Sequence, residues 1–146
     1  MTDNNYTTTI SVDQTPKEAF DAINNVRGWW SEEIGGSTDK LGEEFDYRFD
    51  DMHRCKIKIT ELIPSEKVIW RVLDSYLSFV KDQTEWTGTE MIFDISKKGN
   101  KTEIRFTHQG LVPEVECYDV CSGGWGTAIN SSLRSLITTG KGRPNV

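Results

Sequence analysis

Along most of the chain, apolar and polar residues alternate with a spacing of two, and only towards the C-terminus does the spacing become helical. Tyr6, Thr8, Ile10 and Val12 alternate with Thr7, Thr9 and Ser11, a β-branched run that predicts a first strand. Five further runs follow the same rule. Phe45, Tyr47 and Phe49 alternate with charged neighbours, and so do Cys55, Ile57 and Ile59. Val68, Trp70 and Val72 form the next run, followed by Met91, Phe93 and Ile95 and then by Ile104, Phe106 and His108. Turns at Asp50-Asp51, Ile63-Pro64-Ser65 and Lys98-Gly99-Asn100 join several of them, which predicts an antiparallel meander with one apolar and one wet face.

Two helical regions interrupt the alternation. Thr15 is placed to cap a helix with Pro16 at its first position and Glu18 in its first turn, and Ala19, Phe20 and Ile23 form its buried side. Asn24-Asn25 ends it, and a second short turn over residues 26–31 carries Trp29 and Trp30. From Gly124 to Gly140, the residues Trp125, Ile129, Leu133, Leu136 and Ile137 fall on one stripe and predict a long C-terminal helix. Residues 113–121 read as a separate short helix, stopped at Ser122-Gly123-Gly124 with a kink before Trp125. Residues 35–42 read as a loop. Residues 75–83 hold Tyr76, Leu77, Phe79 and Val80, too much apolar surface for a solvated connection, and read either as a lid or as a bent edge strand.

The expected fold class is therefore α+β: a curved antiparallel sheet of about six strands wrapped on a long C-terminal helix, with two short helices after the first strand. At 146 residues the chain is expected to form a single domain, residues 1–146, able to bury roughly 70% of its unfolded surface without disulfide or metal. A helix laid on such a sheet encloses a space, and that space is the best guide to function.

Charge narrows the partners. A net charge of -6 with scattered lysines and arginines argues against nucleic acid, because nothing would neutralise phosphates. No run of about 18 apolar residues predicts membrane insertion. The N-terminus lacks the basic start and apolar core of a secretion signal, and three cysteines are an odd number in no disulfide pattern, so a reduced cytoplasmic protein is expected. The chain is expected to be a monomer or weak dimer.

Candidate binding residues are the inward series: Trp29, Trp30, Tyr47, Phe49, Ile57, Trp70, Met91, Phe93, Phe106, His108, Trp125, Ile129 and Leu133. They would line an apolar pocket or simply fill the core. His108 would bind a polar group, act as a general base, or be a satisfied structural histidine; no orienting carboxylate accompanies it. Cys117 and Cys121, four apart on one helix face, are read as buried thiols rather than zinc ligands, because the spacing is not a usual zinc pattern. Glu44, Asp46, Asp94 and Glu103 alternate outward as a solvated face. The chain has no phosphate-binding glycine loop, serine nucleophile elbow or HExxH helix, so no catalytic residue, metal or cofactor is expected.

The order of strand, two short helices, meander and long helix is that of the helix-grip fold. Ile59-Thr-Glu-Leu-Ile-Pro-Ser-Glu-Lys-Val-Ile-Trp70, Glu85-Trp-Thr-Gly-Thr89, Phe106-Thr-His-Gln-Gly-Leu111 and the ending from Ser132 to Pro144 resemble one branch of the START-like (SRPBCC) superfamily. That branch is the family named after the activator of heat-shock-protein-90 ATPase, and the resemblance runs from about Ile10 to Pro144. It implies a cavity between sheet and helix that takes a small apolar or amphipathic ligand. It also leaves open a protein-interaction, co-chaperone-like role and a cyclase-like enzyme using the same cavity. Where relatives often carry a second aromatic after the helix tryptophan, this chain has Gly126-Thr127-Ala128, which would enlarge the cavity or let the helix lie closer to the sheet.

Overall fold

A computed structural model describes residues 5–49, 53–78, 80–81 and 83–144, without the side chain of Phe49. Among the described residues, seven strands form one antiparallel sheet: β1 (Tyr6–Val12), β2 (Gly35–Gly36), β3 (Glu44–Phe49), β4 (His53–Ile63), β5 (Lys67–Leu77), β6 (Glu90–Lys98) and β7 (Lys101–Gln109), in the spatial order β1-β7-β6-β5-β4-β3-β2. The two helices α1 (Pro16–Asn24) and α2 (Val26–Trp29) carry the chain from one edge of the sheet to the other, and the meander then returns until β7 pairs with β1. The register sets apolar residues opposite one another on the inner face: Ile10 faces Ile104, Phe93 faces Phe106, Trp70 faces Met91, and Phe45 faces Ile57.

The sheet has one strand more than the six expected. The extra strand is β2, two glycines in the stretch read as a loop. Gly36 adopts a φ of 99°, and a Cβ there would press on the Glu44 carbonyl, so the edge pairing requires glycine. A two-residue strand leaves no alternation to read.

Strand β5 runs on to Leu77, through the start of the segment read as a lid or edge strand. Its pairing with β4 skips Leu73, because Lys56 faces Asp74 while Ile57 faces Val72; a second irregularity skips Thr60. Each bulge bends the ribbon and changes the parity of the side chains. Val68, Trp70 and Val72 point inward, then Ser75 and Leu77 do. Val80 is buried, Tyr76 is half-buried beneath Arg54, and Phe79 lies outside the described residues.

The helix at the end of the chain also departs from expectation. There is no separate helix stopped at Ser122-Gly123-Gly124: α3 (Tyr118–Thr127) starts earlier and runs through the glycines, continues as a π-helical turn (Ala128–Leu133), and ends as α4 (Arg134–Thr139). Each glycine costs about 1 kcal/mol of helix propensity relative to alanine, but burial of Cys121 and Trp125 on either side outweighs that cost. Gly140, at φ 82°, closes α4 with its N–H on the Leu136 carbonyl. Gly126 faces the Tyr6 hydroxyl, so the small patch after Trp125 brings the helix close to β1.

The N-terminal cap of α1 forms as its sequence implies: the Thr15 hydroxyl accepts from the Glu18 N–H, and Glu18 accepts from the Thr15 N–H. At the other end of the chain, the Ser132 hydroxyl donates to the Trp29 carbonyl at 2.6 Å and accepts from the Arg143 N–H at 2.8 Å. These bonds press the last residues against α2, where a Cβ on Gly142 would collide with the Gly28 carbonyl. Gly142→Ala is therefore expected to cost about 2 kcal/mol, because the obstacle is backbone rather than a movable side chain. Urea unfolding of that variant checks it. An unchanged midpoint would mean that the C-terminal residues are not held there.

Candidate ligand site between sheet and helix

All five tryptophans of the chain meet in one contact network, although they come from α2, the turn after it, β5, the β5–β6 connection and α3. None is more than 8% exposed. Trp30 stacks on Tyr47 at 3.9 Å between ring centres and on Trp125 at 4.9 Å, and Trp125 lies parallel to Trp86 at 6.0 Å. Behind them, Trp70 lies parallel to Trp30 at 5.8 Å and to Trp29 at 6.3 Å, and Phe93 meets it edge-on at 4.9 Å. Phe106 tilts against Trp125 at 4.4 Å.

The expected inward series is thus gathered on the inner face. Ile57, Trp70, Met91, Phe93, Phe106, His108, Ile129 and Leu133 are completely buried, and Trp29, Trp30, Tyr47 and Trp125 nearly so; the side chain of Phe49 lies outside the described residues. The rings touch each other, so much of the space between sheet and helix is occupied by side chains. One polar atom inside is unmatched: the indole N–H of Trp70 has no acceptor among the described residues. One open surface groove of about 720 Å³ lies beside α1 and α2; another of about 410 Å³, against β3–β5, has Tyr47 and Cys55 in its lining, and neither is lined by a tryptophan.

His108 is a fully partnered histidine. Trp125 donates its indole N–H to Nδ1 at 2.9 Å, and Nε2 lies 2.8 Å from the Thr89 hydroxyl. That hydroxyl donates to the Trp86 carbonyl at 2.6 Å, so it accepts from His108, and the imidazole is the neutral Nε2–H tautomer. Burial, with His53 nearby, pushes its pKa down to about 3. His53 was not among the expected residues. It lies on the inner face, edge-on to Trp86 at 4.4 Å, with Nε2 3.2 Å from the Cys55 thiol, and burial lowers its pKa to about 4. Period-two extrapolation backwards from Cys55 would have found it. Trp86 gave no such signal, because it sits in a turn.

His53, His108, Tyr47, Cys55 and Cys121 are all held in their uncharged forms here. Burial raises the Tyr47 hydroxyl far above its usual range, with Cys55, Cys121 and Glu33 reinforcing it. Burial likewise raises Cys55, while the hydrogen bond with Cys117 raises Cys121. Cys117 accepts the Trp86 indole N–H at 3.3 Å. Among the described residues no three His, Cys, Asp or Glu side chains are arranged to hold a metal. The arrangement can bury apolar rings and offer uncharged hydrogen bonds; neither histidine has the near-neutral pKa that a general base needs. Of the outward carboxylates, Glu44 pairs with Lys56 and Asp94 with Lys67 in solvated ion pairs.

Comparison with known proteins places this geometry. The family described as Activator of Hsp90 ATPase homolog 1-like protein matches residues 13–138. The chain belongs to this family. The match spans both short helices, strands β2 to β7 and most of the C-terminal helix, and the START-like resemblance of its motifs is thereby established. No curated protein matches the chain. Among solved structures, the Aha1 dimer of Colwellia psychrerythraea is similar with a TM-score of 0.76 and 25% identity, covering 94% of this chain and 98% of that one. Protein MLL2253 of Mesorhizobium loti shares the fold with a TM-score of 0.68 at 12% identity, covering 90% and 95%. SSP2350 of Staphylococcus saprophyticus shares it with a TM-score of 0.64 at 14% identity, covering 97% and 99%. Within this Activator of Hsp90 ATPase homolog 1-like chain, no helix among the described residues is long and apolar enough to cross a membrane.

Proposed function

We propose that the chain is a single-domain cytoplasmic binding protein that takes a small, uncharged, ring-containing molecule between the sheet and the C-terminal helix, without covalent chemistry. The observation behind this reading is the convergence of all five tryptophans on one buried network. Trp30 and Trp86 lie outside regular helices and strands, so their rings can shift without breaking a ladder of backbone hydrogen bonds. A flat ligand would exchange ring contacts within the set for contacts with itself, and the unmatched Trp70 N–H would take an acceptor on it. Charge on the ligand is disfavoured because the surrounding histidines, Tyr47, Cys55 and Cys121 are held neutral. Burial of about 300 Å² of ligand at ~25 cal/mol per Å² contributes about 7 kcal/mol, and aromatic stacking and the Trp70 hydrogen bond add to it against the cost of association.

Intrinsic fluorescence reports directly on this site, because every tryptophan is in it. Titration with 1-naphthol, a neutral flat probe, is expected to change the emission saturably with a Kd of about 10–100 µM, equivalent to roughly 5–7 kcal/mol. Native mass spectrometry of freshly purified protein is expected to show a reproducible uncharged adduct. A linear, unsaturable response together with a clean apo mass would overturn the ligand reading. The competing reading is a protein-interaction module, and the likeness to a relative described as a dimer favours it. Sedimentation would then show self-association with no effect of the probe.

A further inference from the structure

Residues 83–88 form a turn between β5 and β6 in which one side chain is buried while most of the others face solvent. Gln83, Thr84, Thr87 and Gly88 are exposed, yet Trp86 keeps only 4% of its surface. Its indole lies parallel to Trp125 and edge-on to His53 and His108, at 4.4 and 4.7 Å. A large ring buried from an exposed turn can leave the interior without dismantling a strand or a helix, and its departure would uncover Trp125.

Among the described residues, four hydrogen bonds tie this region to the start of α3. The Glu85 carboxylate accepts from the Glu116 N–H at 2.9 Å and from the Cys117 N–H at 3.0 Å. In return the Lys81 N–H donates to the Glu116 carboxylate at 3.0 Å, and the Trp86 indole N–H donates to the Cys117 thiol. Cys117 is the N-cap of α3 and makes no side-chain cap of its own, so a carboxylate from a distant turn satisfies the amides there. Its charge suits the positive end of the helix dipole. The base of the turn is fixed separately to β5: Leu77 N–H bonds the Gln83 carbonyl, Gly88 N–H bonds the Val72 carbonyl, and the Thr87 and Ser75 hydroxyls lie 3.0 Å apart. The segment is thus anchored at its ends and clasped at its tip.

The geometry points to the 83–88 turn as the entrance to the tryptophan site, closed by Trp86 as a plug and held shut by the Glu85 carboxylate on the amides of residues 116 and 117. What passes through it rests on the ligand reading above; the opening motion does not. Glu85→Ala removes both amide bonds, and Glu85→Gln keeps the shape while removing the charge that strengthens them.

The test uses the full chain in two arms. In hydrogen exchange of the ligand-free protein, amides at residues 87–89 are expected to exchange roughly tenfold faster in Glu85→Ala, and less so in Glu85→Gln, with the β6–β7 amides unchanged. In stopped-flow fluorescence, association and dissociation of 1-naphthol are expected to accelerate together by about tenfold, leaving Kd within about twofold. Unchanged exchange at 87–89 in Glu85→Ala overturns the clasp. An equal rise throughout β6 and β7 does so too, by making Glu85 a contributor to global stability. If 1-naphthol fails to bind the wild type, the ligand reading falls, and the exchange arm still decides the clasp.

Discussion

Lowering the pH from 7 to 5 is expected to remove about 4 kcal/mol of stability, a large share of the 5–15 kcal/mol typical of a domain. The source is the pair His53 and His108, whose pKa values are depressed to about 4 and about 3 from an unfolded value of about 6.5. A base with a depressed folded pKa favours the folded state above its unfolded pKa. As pH falls below about 6.5 the unfolded chain binds protons that the folded chain refuses, so stability declines until the folded pKa is reached. At pH 5 each histidine contributes a loss of about 2 kcal/mol. For His108 the refusal has a geometric cause. A proton on Nδ1 would face the Trp125 indole N–H, which can only donate. Urea unfolding at pH 7, 6 and 5 measures the slope, and His53→Phe is expected to remove about half of it whatever it does to stability at pH 7. An undiminished slope in that variant would assign the acid sensitivity to carboxylates instead.

Trp125→Ala is expected to cost about 4 kcal/mol, enough to leave the protein marginal at 25 °C. The side chain is 2% exposed, stacks on Trp30, tilts against Phe106 at 4.4 Å and bonds His108, so its removal opens a cavity and strips His108 of a donor. Trp125→Phe separates these effects. It keeps a ring and loses the N–H, for an expected cost of about 1–2 kcal/mol. It should also relieve the donor-to-donor conflict, raise the pKa of His108 and flatten the pH dependence. Circular dichroism is the suitable readout, since the substitution removes one of the reporting tryptophans. Equal losses for the two variants would mean that the hydrogen bond, rather than the packing, holds this part of the core.

The alternating runs and the C-terminal stripe were legible because each has a period that burial enforces. Phe45, Trp70, Phe93 and Phe106 share the inner face as their spacing implied, and Trp125, Ile129 and Leu133 meet them from the helix. Features without a period were not legible. The bulge at Leu73 reverses the parity of β5, which made its end look like a connection. The π-helical turn at residues 128–133 leaves no mark in the stripe, and glycines that read as a stop lie within α3 because their neighbours are packed.

The chemistry of the candidate site divides in the same way. Local residue order, by itself, determined a one-faced antiparallel sheet, its helix and the inward aromatics, because period and capping act over a few residues. Tertiary structure alone decided that His108 is neutral and doubly bonded, that His53 joins it, and that Trp86 reaches the interior from an exposed turn held by Glu85. Those contacts join residues 17 to 33 positions apart, and hydrogen bonds between such distant groups follow from the packing of whole elements rather than from any spacing along the chain.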